Sequence, residues 1–134
     1  MGVLIDSTVL INLERRGRSP SALNINGDEP WAMSAVTHSE LLFGLERAPS
    51  RMQRERRQRF IDAALSALPV FPFDMSVAAI HARIWADLLS RGERIGTHDF
   101  MIAATALAHG YAVLTDNLRE FQRIPDLTVR TPAW

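Results

Sequence analysis

Short apolar runs alternate along the chain with longer segments in which apolar residues recur every three or four positions. The short runs are typical of buried strands, and the longer segments are typical of amphipathic helices. The predicted strands are residues 3–5, 31–33, 70–73, 112–114 and 127–129, and the predicted helices are residues 8–14, 36–47, 51–68, 77–89 and 100–108. This alternation predicts an α/β fold, with a central, mostly parallel sheet between two layers of helices.

The length and composition predict a single globular domain spanning residues 1–134. The chain is 47% hydrophobic and 22% charged, and it contains no internal repeat. A chain of this size buries roughly 65–70% of its unfolded surface, which is enough for one substantial core. In the segment before the second strand, Ser19-Pro20 is typical of a helix start and Asn26-Gly27-Asp28 is typical of a turn.

Several classes of protein are disfavoured by what the sequence lacks. No apolar stretch approaches the roughly 20 residues that a membrane span needs, and no basic region precedes the first apolar run. The chain has no cysteine, which excludes disulfides and thiolate metal sites and permits a reducing compartment. We therefore expect a cytoplasmic protein without a membrane segment.

The charge balance does not by itself indicate a nucleic-acid-binding protein, because fifteen acidic residues match fifteen basic ones. Every basic residue is an arginine, which binds phosphate well but also reflects codon usage in GC-rich genomes. Five arginines lie close together at Arg51, Arg54, Arg56, Arg57 and Arg59. On a helix they would point in several directions, so a solvated surface is favoured over an RNA contact, although RNA phosphates remain an alternative.

Two acidic residues directly follow predicted strands at opposite ends of the chain. Asp6 follows the first strand, and Asp116 follows the strand at 112–114. Ligands bind at the carboxyl ends of the strands in open α/β sheets, so both carboxylates are candidate site residues. The alternative for Asp6 is a helix N-cap, and the alternative for Asp116 is ordinary Asp-Asn turn chemistry.

Two further acidic residues, Glu40 and Asp99, lie in mostly apolar helical segments, where a charge is costly unless it is paired or bound to metal. Gly44 follows Glu40 by one turn, which indicates a close approach of backbone or ligand. The alternatives are a solvent-facing Glu40 paired with Arg47, and a helix-start role for Asp99. Four carboxylates without obvious cationic partners predict a divalent metal site.

Four motifs in this order resemble the PIN-domain ribonucleases, and among them the VapC-type toxins of toxin–antitoxin pairs. The motifs are VLIDST, Thr37-His38-Ser39-Glu40, GTHDFMIAATAL and LTDNLREF, and they cover residues 3 to about 129. The resemblance implies a PIN-like fold and an endoribonuclease that depends on Mg²⁺ or Mn²⁺. It also implies an antitoxin partner, an RNA substrate and a homodimer. The family's acidic residues correspond to Asp6, Glu40, Asp99 and, at a fourth and more variable position, Asp116, and its small hydroxyl residue corresponds to Thr8.

The residue types suit this chemistry, because Mg²⁺ prefers carboxylate and water oxygens. We expect Asp6 and Asp99 to bind the ion directly, while Glu40 and Asp116 complete a second site or hold metal-bound waters. The polar side chains expected to position waters or phosphate oxygens are Thr8, Thr115 and Asn117. The mechanism needs no histidine, so all four histidines are interpreted as surface or packing residues.

Two other classes of protein remain as alternatives. A non-catalytic PIN-fold interaction module would keep the fold, although four intact acidic residues argue against it. An aspartyl-phosphate phosphohydrolase would use Asp6 as its nucleophile. Enzymes of that class need a second aspartate two residues later, where this chain has Thr8, and the chain has no lysine to hold a phosphoryl group.

Overall fold

A computed structural model of the protein describes residues 1–23 and 27–133. In chain order, the elements of the first half are β1 (Val3–Ile5), α1 (Ser7–Arg15), β2 (Trp31–Ser34), α2 (Ala35–Glu46) and α3 (Arg51–Ala67). Those of the second half are β3 (Val70–Phe71), α4 (Met75–Ser90), α5 (Thr97–His109), β4 (Ala112–Leu114), α6 (Leu118–Phe121) and β5 (Val129–Arg130). A short 3₁₀ helix at Pro20–Leu23 follows α1.

The strands form one parallel sheet in the order β3-β2-β1-β4-β5. Ile5 of β1 lies beside Met33 of β2 on one side and Leu114 of β4 on the other. The chain first adds β2 and β3 on one side of β1 and later adds β4 and β5 on its other side, so the order in which strands are added reverses at β1. Because ligand sites in open α/β sheets lie at such a switch point, the carboxyl ends of β1 and β4 are where a site is expected.

Two apolar cores cover the two faces of the sheet. Ile5 packs into a core with residues of α1, α2 and α3, whereas its neighbour Leu4 packs into a second core with residues of α4 and α5. Adjacent strand residues point to opposite faces, so each buried strand feeds both cores. The predicted fold, a mostly parallel sheet between two helical layers, is confirmed.

The structure places the predicted helices and strands where the hydrophobic pattern put them, with shifts of a few residues at their ends. The helices α4 and α5 begin at Met75 and Thr97, two to three residues before the predicted starts. The last strand is Val129–Arg130 rather than residues 127–129. The predicted turn at Asn26-Gly27-Asp28 lies partly outside the described residues, and none of the described helices is long and apolar enough to cross a membrane.

Candidate active site

Asp6 lies directly after β1 and is 1% exposed. Its Oδ2 accepts hydrogen bonds from the hydroxyls of Thr8, at 2.8 Å, and Thr115, at 2.7 Å. Asp6 occupies the N-cap position of α1, but its side chain makes no capping hydrogen bond to the described helix backbone, so the capping alternative is wrong. Its Oδ1 is buried and has no hydrogen-bond partner among residues 1–23 and 27–133. An unpartnered buried carboxylate oxygen is costly, which makes it a candidate ligand atom.

Glu40 reaches the same region from the middle of α2, where it is half-buried. Its Oε2 accepts a hydrogen bond from the Ser7 hydroxyl at 2.9 Å, and its Oε1 lies 3.6 Å from Nδ1 of His98. Burial raises the pKa of Glu40, the Ser7 hydrogen bond and His98 oppose that change, and the charge of Asp6 adds to it. Glu40 therefore faces the site, while Arg47 lies over the ring of Phe43.

Asp99 lies in the first turn of α5, and its carboxyl group contacts that of Glu120 from α6. Burial, as the largest cause, and the hydrogen bond with Glu120 and the charges of Asp6, Glu120 and Glu40 together raise the pKa of Asp99 to about 8. The pKa of the more exposed Glu120 is lowered by its hydrogen bonds with Asp99 and the Gly96 N–H. The two shifts have opposite directions, so burial and the contact between the two carboxyl groups favour the protonated form of Asp99 and the ionised form of Glu120.

Glu120 is the site residue that the sequence analysis missed. It lies in the quoted motif LTDNLREF, but α6 is only four residues long, which is too short to display a helical pattern. The signal that could have found it is its position three residues after Asn117, close behind a strand that ends at the site. Its carboxyl group is the one that contacts Asp99.

Asp116, the predicted supporting ligand, is exposed, and its Oδ2 accepts a hydrogen bond from the Asn12 amide at 2.6 Å. Its backbone N–H donates to the Thr8 hydroxyl at 3.2 Å. Asp116 thus lies at the rim of the site and contacts α1. Its role as a ligand stays a prediction, and Glu120 is a second candidate for that role.

The three polar residues predicted to support the site connect its carboxylates. Thr8 and Thr115 both donate to Asp6, and the Thr115 hydroxyl accepts a hydrogen bond from the Asn117 N–H at 2.8 Å. The Asn117 side-chain amide donates to Oδ2 of Asp99 at 3.1 Å. A continuous hydrogen-bonded chain therefore runs from the end of β1 through the end of β4 to the start of α5.

The histidines differ in what they contact. His81 packs among aromatic rings that include Trp85 and Phe100, and His109 stacks on Phe71 with the ring centroids 3.9 Å apart. His98 is exposed but reaches Glu40. Neighbouring residues on a helix point in different directions, so His98 was expected to point away from Asp99. That rule does not apply to contacts between two helices, and His98 of α5 contacts Glu40 of α2. His98 therefore belongs to the surroundings of the site.

The donor set suits a hard divalent cation, because all its candidate ligand atoms are carboxylate oxygens. Asp6, Glu40 and Asp99 lie close enough for their charges to act on one another, and Asp6 presents a buried oxygen without a partner. In the part of the chain that the structure describes, no three Asp, Glu or His side chains converge as a group that could hold one ion.

Comparisons with known proteins identify the family of this chain. A family model for the PIN domain matches residues 3–127. Ribonuclease VapC1 of Rickettsia felis is 37% identical over 131 residues, which cover 98% of this chain and 96% of that protein. The tRNA(fMet)-specific endonuclease VapC of Salmonella typhimurium is 35% identical over 97 residues, 72% of this chain and 71% of that one.

Solved structures give the same relationship at the level of the fold. A chain in the DNA-bound VapBC structure from Salmonella typhimurium superimposes with a TM-score of 0.86 at 28% identity, and the match covers 98% of each chain. The family model and the Rickettsia felis relative match nearly the whole chain, including the segments that carry Asp6, Glu40 and Asp99. This chain therefore belongs to the PIN-domain family, and its relatives within that family are VapC ribonucleases.

Proposed function

We propose that this protein is an endoribonuclease that depends on Mg²⁺ or Mn²⁺ and acts as the toxin of a toxin–antitoxin pair in the cytoplasm. The observation that carries the proposal is the buried, unpartnered Oδ1 of Asp6 at the switch point of the sheet. The names of the relatives support the reaction class, because both sequence relatives described above are named as nucleases that act on RNA. Their printed names do not mention a metal, so the metal dependence rests on the carboxylates.

In this proposal Asp6 and Asp99 hold the ion, and Glu40 completes the site with Glu120 or Asp116. A divalent ion bound there supplies an activated water and neutralises charge on the phosphodiester. Thr8 and Thr115 hold the Asp6 carboxylate in one orientation through their hydroxyl hydrogen bonds. Ser7 does the same for Glu40, and Asn117 does so for Asp99. Because metal ligands are deprotonated, an ion bound there would favour the ionised form of Asp99, against the raised pKa of that carboxyl group.

The experiment compares cleavage of RNA by the wild type with cleavage by Asp6→Asn, with Mn²⁺ or Mg²⁺ and with EDTA. We expect the substitution to lower cleavage by more than the roughly 10- to 100-fold that loss of an outer hydrogen-bonding partner costs. The matched control is Asp62→Asn, which removes an exposed carboxylate on α3 and is expected to keep full activity. Because water is the nucleophile, the products should carry a 5′-phosphate and a 3′-hydroxyl.

Thermal unfolding provides a readout that does not depend on activity. A cation that binds only the folded state stabilises it by about 2.7 kcal/mol at 100 times its Kd. We expect Mn²⁺ to raise the Tm of the wild type and of Asp62→Asn, and to have little effect on Asp6→Asn. Cleavage that continues in EDTA, or products with a 2′,3′-cyclic phosphate, would contradict the proposal. A protein that binds Mn²⁺ but cleaves no RNA would instead support a non-catalytic PIN-fold module.

The proposal includes two protein partners. An antitoxin is supported by the structural relative from Salmonella typhimurium, which was solved as a VapBC complex. A homodimer is supported by the apolar face of α4, where Trp85 is 50% and Leu89 is 53% exposed. Exposed apolar side chains grouped on one face favour burial against another protein surface.

A further inference from the structure

A groove leads away from the candidate active site between α1, α2 and α3. Its first part is a cavity of about 280 Å³ that begins at Glu40 and passes Gly44. Two neighbouring depressions along α3 share lining residues with it, and Glu14 of α1 lines all three. We call this surface the arginine groove, because its lining contains Arg15, Arg18, Arg56, Arg57 and Arg59. Among the described residues of the lining, the acidic ones are Glu14 and, at the site itself, Glu40.

The arginines of the groove divide into one with a structural contact and others that face solvent. Arg57 is half-buried and donates to the Gly44 carbonyl at 2.5 Å, which ties α3 to α2. Arg56 and Arg59 are exposed, and neither makes a hydrogen bond or an ion pair to another of the described residues. Arg15 and Arg56 lie near the partly buried Glu14, where their charges act on its carboxylate. More positive than negative charge therefore faces solvent in the groove.

Charge complementarity identifies what such a groove can hold beside an acidic site. The carboxylates at the site repel the phosphates of a polynucleotide, so the chain must be held by positive charge nearby. Arginine is well suited to this, because its planar guanidinium binds phosphate with two parallel hydrogen bonds. The arginine groove is continuous with Glu40, so a strand that lies in the groove runs directly into the site.

We propose that the arginine groove binds the phosphate backbone of single-stranded RNA on one side of the scissile bond, with Arg15, Arg56 and Arg59 as the phosphate contacts. This inference rests on the proposed ribonuclease function and adds the path of the substrate. For Arg56 and Arg59 it favours the RNA contact, which the sequence analysis kept as an alternative, over the solvated surface. The solvated surface holds for Arg51, which pairs with Glu55 and is absent from the lining of the groove.

The structure also identifies which arginines a test must change. Arg54 donates to the Leu45 carbonyl at 3.3 Å and to Glu46 at 3.2 Å, and Arg57 donates to Gly44. Substitution of Arg54 or Arg57 would disturb the contact between α2 and α3, so a change in RNA binding would be ambiguous. Arg56 and Arg59 have no such contact among the described residues, so their loss removes charge and leaves the packing unchanged.

The experiment measures binding of a labelled, unstructured 12-nucleotide RNA in EDTA over a series of salt concentrations. On single strands, each phosphate contact contributes about 0.7 to the slope of log K against log salt. We expect Arg56→Gln/Arg59→Gln to lower that slope by about 1.4 and to weaken binding at low salt by at least about tenfold. The matched control is Arg51→Gln/Arg83→Gln, which removes the same charge from exposed positions outside the groove.

We call Arg56→Gln/Arg59→Gln the groove variant and Arg51→Gln/Arg83→Gln the control variant. If the slope of log K against log salt is the same for both variants, the proposal is wrong. It is also wrong if the wild type does not bind the RNA. Poly-glutamate serves as a probe for an acidic protein segment. If the groove variant loses poly-glutamate binding and keeps the RNA slope, the groove holds a protein segment and the proposal is wrong. The readout is binding without metal, so a wild type that binds as expected but cleaves no RNA contradicts the ribonuclease function and leaves the groove as an RNA site.

Discussion

Asp6 sits where a helix cap is expected, yet its carboxylate receives its hydrogen bonds from Thr8 and Thr115 and leaves one buried oxygen without a partner in the described structure. A capping aspartate would instead satisfy backbone N–H groups of the first turn. The distinction matters because a cap stabilises the fold, whereas an unpartnered buried oxygen destabilises it unless a ligand binds. At the scale of single residues, the site is thus arranged for a ligand at the expense of the stability of the metal-free protein.

The stability of the metal-free protein is expected to depend on pH because of Asp99. Its pKa in the folded protein is about 8, compared with an ordinary value of 3.8, so between these values the folded protein binds more protons than the unfolded chain. The free energy of unfolding therefore falls as the pH rises through this range. In EDTA we expect a loss of about 1–2 kcal/mol from pH 5 to pH 9, because solvent screens this partly exposed carboxyl. Urea unfolding at a series of pH values measures the loss.

The matched variants for this measurement are Asp99→Asn and Asp62→Asn. The first should flatten the pH dependence, since an amide does not titrate and still accepts the hydrogen bond from Asn117. The second removes an exposed carboxylate and should keep the profile of the wild type. Identical profiles for the wild type and Asp99→Asn would show that burial of Asp99 has no such cost.

At the scale of elements, the sequence predicted those parts of the site that follow from strand order. β1 and β4 are short apolar runs that read clearly as buried strands, and their register places Ile5 beside Leu114. The sequence analysis assigned Asp6 and Thr115 to one site, as a ligand and a positioning residue, and this register brings them into hydrogen-bond contact. The contact of Glu120 with Asp99 depends on how α6 packs against α5, and a four-residue helix carries no pattern that predicts it.

The junction after β4 allows a test of positioning. Thr115 is fully buried, donates to Asp6 and accepts from the Asn117 N–H, so Thr115→Val breaks the hydrogen-bonded chain between β1 and α5. We expect about 1–3 kcal/mol of lost stability and an activity lower by about 10- to 100-fold. Thr115→Ser keeps the hydroxyl and should restore the activity. Urea unfolding and RNA cleavage measure the two effects.

The control for this junction is Thr105→Val in α5. Thr105 is buried and donates to the Met101 carbonyl at 2.8 Å, within its own helix and away from the carboxylates. This variant should lose stability but keep its activity per folded molecule. If Thr115→Val and Thr105→Val lose activity in the same proportion, Thr115 has only a structural role.

At the scale of the whole molecule, a net charge of zero conceals a separation of charge. Asp6, Glu40 and Asp99 lie near enough to one another at the switch point of the sheet for their charges to interact, and the arginine groove begins beside Glu40. Composition alone could not reveal this, because the charges come from helices that are distant in sequence and meet only in the fold. The same holds for the apolar side chains of α4, whose pattern fits a core helix although Trp85 and Leu89 are exposed.

The exposed face of α4 makes a prediction about the assembly. Trp85 and Leu89 are one turn apart and line a cavity of about 360 Å³ with Phe100 and Met101 of α5. A second copy of the chain that packs here would bury these side chains, and homodimers bury the more apolar parts of a protein surface. We expect the wild type to have the mass of a dimer by light scattering, and Trp85→Glu/Leu89→Glu to have that of a monomer, with the helical content unchanged.

Met52→Glu, at a residue 69% exposed on α3, is the control that should remain a dimer. A wild type that is monomeric at all concentrations, or a dimer that persists in the double variant, would show that this face does not pair two copies.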